Sequence, residues 1–270
     1  MTVLPAAFRW TARGFQPATP QAASHVVVAD SWRVHGGTMW GLEQHLDRFM
    51  HGMTAQQVRP AEVDLNDIEH FKQHLTALLK DIARQHSGLD LFPRISLNTG
   101  KGGRGLVLLV RPAPPIRATT SLWLPDYTDP RIRPTVKGPD IDLMRRLVAE
   151  AATDDVVLHD GTNVIEATTG ALLMWHTPQE LVLCHASQQL ASISAQRIAH
   201  HARSHHIDVI YRPVSIQQML TGEYPVWFTN TLHGISPVTT ISGGVHGVAQ
   251  LAFHPETAAW QQAWWANYRR

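Results

Sequence analysis

The stretch Lys137–Glu166, KGPDIDLMRRLVAEAATDDVVLHDGTNVIE, carries the strongest fold signal in the chain. In Pro139–Ala152 the apolar residues recur at helical spacing, which predicts a helix with one buried face. Val156–Leu158 predicts a short strand, and Asp160-Gly161 is a strong hairpin signal. Val164–Trp175 then predicts one long return strand. This stretch therefore predicts a helix followed by two strands.

Glu166 stands inside this otherwise apolar strand, and Lys137 stands just before the helix. A buried carboxylate is costly unless a cationic or protonated group meets it. We interpret that partner as a bound cofactor.

Three other segments carry possible binding residues. Leu42–Phe49 predicts a helix that contains Arg48. Leu190–Ser194 leads into a further helix that runs to about Ser204. The start of this helix would offer unpaired N–H groups and a partial positive charge. Val226–Val238 reads as a strand followed by the sequence Thr-Asn-Thr-Leu and a turn.

Taken in chain order, the Leu42, Lys137, Leu190 and Val226 motifs resemble those of the class IV aminotransferases. That family consists of fold-type IV pyridoxal-phosphate enzymes and includes branched-chain and D-amino acid aminotransferases and aminodeoxychorismate lyase. The resemblance extends from about Val28 to Val238. It implies a two-domain α+β fold like that of D-amino acid aminotransferase, with pyridoxal 5′-phosphate between the domains.

The resemblance also implies roles for three residues. Lys137 would form the Schiff base, Glu166 would pair with the pyridine nitrogen, and Arg48 would reach the phosphate. The family's Glu-x-x-x-x-Asn pattern is incomplete, since Ala171 replaces the asparagine. Without the resemblance, Arg48 reads as a solvated helix residue paired with a neighbouring carboxylate, Glu43 or Asp47.

The resemblance implies further cofactor contacts at the start of the helix that follows Leu190 and in the segment after the Val226 strand. In the family a Gly-Ile/Val-Thr turn binds the phosphate, and here it is Ser192, Ile193 and Ser194. Plain N-capping by the serines is compatible with that role. The resemblance places Thr231 near the phosphate and Leu232 in the substrate pocket, although a Thr-Asn-Thr sequence alone usually marks only a turn.

Two residues are candidates for binding substrate. The glycine-rich loop Asn98–Gly105 lacks the Gly-Lys-Ser/Thr ending of a phosphate loop and precedes a strand, so it reads as a hairpin. A similar Gly-Gly-Arg-Gly loop lies at the active-site mouth of the family, so Arg104 is expected to meet a substrate carboxylate. Ser31 aligns with an active-site threonine of the lyase, and it also fits as a small strand residue.

Composition bounds the remaining possibilities. The chain has 270 residues, 44% of them hydrophobic and 17% charged, with a net charge of +1, which favours neither nucleic acid nor an anionic membrane as a partner. Cys184 is the only cysteine, so no intrachain disulfide forms and a buried strand thiol is expected. No signal peptide, long apolar span or zinc spacing is present, so we expect a cytoplasmic protein without metal.

Pro112, Pro114 and Pro115 predict a domain boundary, because proline interrupts both helices and sheets. We expect a smaller α+β domain over residues 1–115 and a larger cofactor-binding domain over 120–270. The aromatic C-terminal helix predicts either core packing or a subunit contact. Since the family builds its site at a dimer interface, a homodimer is expected.

The resemblance predicts an aminotransferase acting on an amino acid and a 2-keto acid. Aminodeoxychorismate lyase, which releases 4-aminobenzoate and pyruvate, is the close alternative. A protein that kept the fold without turnover is the third possibility.

Overall fold

The computed structural model describes residues 2–19, 25–100 and 103–268, and the chain divides into two compact units. The first unit comprises Met1–Pro114, Val136–Ile141 and Ala266–Arg270. The second comprises Pro115–Thr135 and Asp142–Trp265. Val136–Ile141, which carries Lys137, therefore groups with the first unit.

The first unit contains a five-stranded antiparallel sheet in the order β2-β1-β5-β4-β3. Its elements are β1 (Ala6–Thr11), β2 (Gly14–Ala18), β3 (His25–Ser31), α1 (Leu42–Ala55), a short 3₁₀ turn (Pro60–Val63), α2 (Ile68–Gln85), β4 (Arg94–Gly100) and β5 (Gly103–Val110). The predicted hairpin joins β4 to β5, and its residues Lys101 and Gly102 lie outside the described part of the chain.

Alternation along the strands decides which face of this sheet is buried. Ile95 and Leu97 of β4 lie in one hydrophobic core with Phe49 of α1 and Leu75 of α2. Successive side chains of a strand point to opposite faces, so the residues between them lie on the other face of the sheet. That alternation matters because the candidate residues of this unit are distributed over both faces.

The second unit is built on a ten-stranded mixed sheet, counted over the described residues, in which β11-β10-β9-β13-β14-β6-β7-β8-β12 follow one another and β15 pairs with β14. Its strands are β6 (Thr120–Trp123), β7 (Asp155–His159), β8 (Asn163–Ala167), β9 (Ala171–Thr177), β10 (Glu180–Cys184), β11 (Asp208–Arg212), β12 (Val214–Ser215), β13 (Val226–Asn230), β14 (Gly234–Gly243) and β15 (Gly247–Gln250). Its helices are α3 (Ile141–Glu150), α4 (Ile193–Ser204), α5 (Ile216–Leu220) and α6 (Thr257–Ala266), with a 3₁₀ turn at Gly244–His246.

The single long strand predicted over Val164–Trp175 is wrong, because the chain turns at Thr168–Gly170 and forms β8 and β9. The hydroxyls of Thr168 and Thr169 both donate to the buried carboxylate of Asp155, which holds the turn. A Cβ on Gly170 would lie 2.6 Å from the Phe228 ring, so only glycine fits there. The turn lets β9 pair with β10 and β13 while β8 pairs with β7.

The aromatic C-terminal helix, α6, is part of a core. Trp260 and Trp264 are buried, and the Trp260 ring packs against Trp175 and Trp227. Of the two interpretations of this aromatic stripe, the structure supports core packing. These tryptophans therefore no longer argue for a subunit contact.

Cys184 is buried in β10, and burial raises the pKa of its thiol to about 12. A thiol with so high a pKa is not reactive at neutral pH. Among the described residues, no helix is long and apolar enough to cross a membrane. Nor does this part of the chain bring together three or more His, Cys, Asp or Glu side chains that could hold a metal ion.

Candidate active site

Lys137 lies beside β3 of the first unit, at the start of the segment that leads into α3. Its carbonyl oxygen accepts a hydrogen bond of 2.7 Å from the Ala29 N–H. The next residue, Gly138, has φ +139°, and a Cβ built on it would lie 2.7 Å from the Val28 Cα. Because an L side chain does not tolerate that approach, glycine allows the backbone of Lys137 to lie against the strand.

Asp30 of β3 gathers the polar side chains around this lysine. Its Oδ1 accepts from the Ser31 N–H at 2.7 Å and lies 2.8 Å from His45 Nδ1. Arg48 of α1 forms two bonds of 2.8 Å, from Nε to Oδ2 and from Nη2 to Oδ1. The Lys137 Nζ lies 3.9 Å from Oδ1. We assigned no role to Asp30 or His45 from the sequence, although a carboxylate in an apolar strand was the same signal that singled out Glu166.

The charges in this Asp30 cluster shift the pKa values of two of its members, Asp30 and His45. Burial raises the pKa of Asp30, but Arg48, His45 and Lys137 outweigh burial and hold that pKa well below its usual range. Burial lowers the pKa of His45 despite the attraction of Asp30, and its Nδ1 donates to the ionised carboxylate, which can only accept. Arg48 and Lys137 are both cationic, and both face the Asp30 carboxylate.

Arg48 thus does not pair with Glu43 or Asp47, the two alternatives that helical spacing offered. Its carboxylate partner is Asp30, and Glu43 instead forms an ion pair with Lys72. The two bonds to the Asp30 carboxylate fix the plane of the guanidinium.

Asp30→Asn is expected to lower the free energy of unfolding by about 3 kcal/mol at pH 7, because it leaves Arg48 beside a neutral group in a largely buried site. The ionised carboxylate stabilises the fold above the unfolded-state pKa of about 3.9, and this contribution is lost as the pH falls. The difference between the two proteins should therefore shrink below about pH 4. Urea titrations at several pH values measure it.

Asp81→Asn provides the matched control, because Asp81 is exposed on α2 and pairs with Arg84 at the surface. This change should stay within about 0.5 kcal/mol. Equal effects of the two substitutions would show that the Asp30 cluster does not stabilise the first unit.

Glu166 of β8 is the centre of the second cluster, which lies wholly in the second unit. Its Oε1 accepts a hydrogen bond of 2.8 Å from Arg131 Nη1 and one of 3.0 Å from the Leu190 N–H. Its Oε2 accepts no hydrogen bond from any residue that the structure describes. From the sequence we expected a cofactor to be the cationic partner of Glu166, but within the chain that partner is Arg131. Neither Arg131 nor Asp129 was singled out, because they lie in a loop without periodicity.

Arg131 is shared between two buried carboxylates. Its Nη2 donates to Asp129 Oδ2 at 2.7 Å, and the three side chains are at most 8% exposed. Burial raises the pKa of Glu166, Arg131 lowers it, and Asp129 raises it again, with a net upward shift. Two carboxylates and one guanidinium form a net negative buried group that a cation at Oε2 would neutralise.

The helix α4 begins at Ile193, three residues after Leu190, whose N–H contacts Glu166. Ser192 caps the helix, and its Oγ accepts from the Ala195 N–H at 3.2 Å, so the N-capping interpretation is correct. The N–H groups of Ile193 and Ser194 donate to no acceptor among the described residues, although both residues are buried. Such donors at a helix start are a ready site for an anion.

Thr231 and Leu232 lie in a tight turn between β13 and β14. The Asn230 Oδ1 accepts from the N–H groups of Leu232 at 3.0 Å and His233 at 2.8 Å. The Leu232 N–H is thus already used, whereas the side chains of the turn keep their candidate roles. Asn230 Nδ2 donates to the Thr169 carbonyl at 3.2 Å, which ties this turn to the one that follows β8.

The two substrate candidates lie on opposite faces of the first sheet. Arg104 lies on the core-facing side and donates to Glu62 at 2.6 Å. Ser31 is buried and pairs with Arg94, which lies on the other face of the sheet. A groove of about 410 Å³ on that face is lined by Arg9, Arg94 and a mixture of small, polar and apolar residues, and Ser31 is not one of them. Along β4 the partners of Ser31 and Arg104 are five residues apart, or about 17 Å. The structure therefore does not bring them together, and Arg94 is a cationic neighbour of Ser31 that the sequence prediction missed.

Comparison with solved structures defines the class of fold first. A hypothetical aminotransferase from Mycobacterium tuberculosis in its PLP-bound form superposes with a TM-score of 0.80 at 17% identity, over 97% of this chain and 98% of that chain. A fold IV transaminase from Curtobacterium pusillum gives 0.79 at 16% identity, over 98% and 99%. A branched-chain amino acid aminotransferase from T.th. gives 0.76 at 15% identity, over 98% and 94%. The expected fold-type IV architecture is confirmed.

Comparison of sequences then gives the family. The family model described as amino-transferase class IV matches residues 27–241, so the chain belongs to the class IV aminotransferases. A search of curated proteins gave no significant match. The family predicted from the motifs is confirmed, and pyridoxal phosphate is the cofactor of that family.

Proposed function

We propose that the protein is a pyridoxal-phosphate-dependent aminotransferase that transfers an amino group between an amino acid and a 2-keto acid, with the cofactor held as a Schiff base on Lys137. The observation that carries the proposal lies in the second unit. Glu166 keeps one oxygen, Oε2, without a hydrogen bond from the described residues, while Arg131 and the Leu190 N–H hold the other. Ile193 and Ser194, three and four residues after Leu190, have backbone N–H groups without an acceptor among the described residues. A protonated ring nitrogen and a phosphate fit these two sets of groups.

The first unit provides the remaining cofactor contacts in this proposal. Lys137 supplies the amine, and Arg48, oriented by Asp30, supplies a cation for the phosphate. Ser192 shapes the phosphate-binding turn by capping α4, and Thr231 adds a hydroxyl. Ser31, Arg104 and Leu232 are assigned to the substrate, with Arg94 as a further candidate for its carboxylate.

When bound, pyridoxal phosphate supplies an electron sink for the charge left by removal of the α-proton. The residues of the chain then have three tasks. Glu166 would hold a proton on the ring nitrogen through Oε2. The Lys137 amine would take a proton from the substrate Cα and deliver one to C4′, acting as general base and then as general acid. Arg48 and the α4 turn hold the phosphate, so that these atoms stay aligned.

The first substrates to test are suggested by the structural neighbours. The Mycobacterium tuberculosis protein has been solved with α-ketoglutarate and PMP, and the T.th. enzyme with N-(5′-phosphopyridoxyl)-L-glutamate. We therefore propose glutamate with α-ketoglutarate as one amino donor and acceptor pair, within a wider panel of amino acids and keto acids.

The assay that tests the proposal separates the two chemistries. Holoenzyme is incubated with pairs of amino acid and keto acid and, separately, with aminodeoxychorismate. We expect transfer with at least one pair and no pyruvate from aminodeoxychorismate. Release of pyruvate and 4-aminobenzoate without a keto acceptor, together with no transfer across the panel, would make the protein a lyase. If the cofactor binds but neither reaction occurs, the protein is a non-catalytic binding protein.

A homodimer is also part of the proposal, and it rests on the family resemblance, since Trp260 and Trp264 of the C-terminal helix are buried within one chain. Light scattering of the holoenzyme should give about twice the 30.1 kDa of a single chain. A mass near that of one chain at working concentration would exclude the dimer.

A further inference from the structure

We propose that Arg131, anchored by Asp129, is a positioning residue that holds Glu166 through Oε1, leaves Oε2 for the ligand and keeps the carboxylate ionised toward the ring nitrogen of the cofactor. This inference rests on the proposed function, because it concerns the group that meets the cofactor. It adds two residues from the loop before Lys137 to the site.

The geometry fixes Arg131 far more firmly than a single ion pair would. Its Nε lies 3.0 Å from both Asp129 oxygens, and its Nη2 lies 2.7 Å from Oδ2 and 3.3 Å from the Gln188 carbonyl. Its Nη1 is thereby directed to Glu166 Oε1 at 2.8 Å. A guanidinium held along one edge by a carboxylate has no freedom to rotate, so the bond to Oε1 fixes the carboxylate plane.

The loop that carries this pair is itself fastened to the sheet. The Asp129 N–H donates to the His159 carbonyl at 2.8 Å, and His159 Nε2 donates to the Pro125 carbonyl at 2.9 Å. Leu190 completes the arrangement, because its N–H occupies the same Glu166 oxygen as Arg131. Both donors of the chain therefore converge on Oε1, and Oε2 is left as the acceptor for the ligand.

The electrostatic consequence concerns one proton. A carboxylate and a pyridine nitrogen in contact share a proton, which resides on the group with the higher proton affinity. Arg131 lowers the proton affinity of Glu166, so the proton stays on the nitrogen and the ring keeps its charge. Asp129 acts in the opposite direction, since its negative charge raises the pKa of Glu166. Arg131 and Asp129 therefore act in opposite directions on the proton affinity of Glu166.

Because Arg131 and Asp129 shift the pKa of Glu166 in opposite directions, substitutions of these two residues test the inference. The holoenzyme is prepared with ¹⁵N-labelled pyridoxal phosphate, and the ring-nitrogen shift is measured by NMR in the wild-type protein, Arg131→Gln, Arg131→Lys and Asp129→Asn. We expect a protonated nitrogen in the wild-type protein and a shift toward unprotonated pyridine in Arg131→Gln, with kcat lower by about tenfold or more and KM little changed. Arg131→Lys should restore part of the protonation. Arg145→Gln is the control, because Arg145 is exposed on α3 of the same unit and pairs with Asp142 at the surface.

A second readout needs no cofactor. In the full chain without cofactor, the Glu166 carboxyl is followed by ¹³C NMR, with its signal assigned from Glu166→Gln. Its pKa should rise in Arg131→Gln and fall in Asp129→Asn. A Glu166 pKa that Arg131→Gln leaves unchanged would overturn the inference, as would an unchanged ring-nitrogen shift in a loaded variant. Should Arg131→Gln not fold, Arg131→Lys and Asp129→Asn decide by the same criteria.

The two readouts separate the inference from the function on which it rests. A wild-type protein that binds no pyridoxal phosphate, or binds it with a neutral nitrogen, contradicts the proposed function even where the Glu166 pKa responds as expected. A protonated nitrogen in the wild-type protein that no Arg131 variant alters supports the function and refutes the role of Arg131.

Discussion

Lys137→Ala is expected to abolish transamination, with a fall in kcat on the order of 10³-fold or more, because the variant loses both the amine that holds the cofactor and the proton carrier. The absorbance band of the lysine-bound cofactor should disappear, while the phosphate contacts keep some cofactor bound non-covalently. The measurements are single-turnover kinetics with the best amino donor and the absorbance spectrum of the purified protein.

The sequence makes the assignment of the lysine simple to check, because the chain has only four, Lys72, Lys80, Lys101 and Lys137. Borohydride reduction followed by peptide mapping should place the pyridoxyl group on Lys137. Lys80→Ala is the matched control, since Lys80 is exposed on α2, and it should retain wild-type turnover. Label on any of the other three lysines would refute the assignment.

Glu166→Gln is expected to bind cofactor with little loss of affinity and to lose about 10²–10⁴-fold of the proton-abstraction rate. A glutamine side chain can still accept from Arg131 and from the Leu190 N–H, so the local packing is retained. It cannot keep a proton on the ring nitrogen by charge, and the electron sink is weakened. The deuterium isotope effect on Cα–H removal, measured with the variant, should therefore increase.

Glu223→Gln is the control for this substitution, because Glu223 is an exposed residue of the same unit. It should leave both affinity and rate unchanged. A Glu166→Gln enzyme with near-normal turnover would mean that the buried carboxylate has a purely structural role, bonded to Arg131.

Local sequence predicted much of the fold because its signals were strong and short in range. The apolar periodicity of α2 and the alternation along β4 each require only neighbouring residues to be read. The strand break at Thr168–Gly170 could not be read in this way. It depends on Asp155, more than ten positions earlier, whose carboxylate accepts from both threonines.

The candidate site shows the same division. The family, and through it the expected roles of Lys137, Glu166 and Arg48, could be read from sequence pattern alone. Their partners, among them Asp30 and the Asp129–Arg131 pair, depend on the tertiary structure. A buried charge takes whichever opposite charge the fold brings near it, and neither helical nor strand periodicity records that distance. For Glu166 that charge is an arginine 35 positions earlier, fixed in a loop whose sequence shows no pattern.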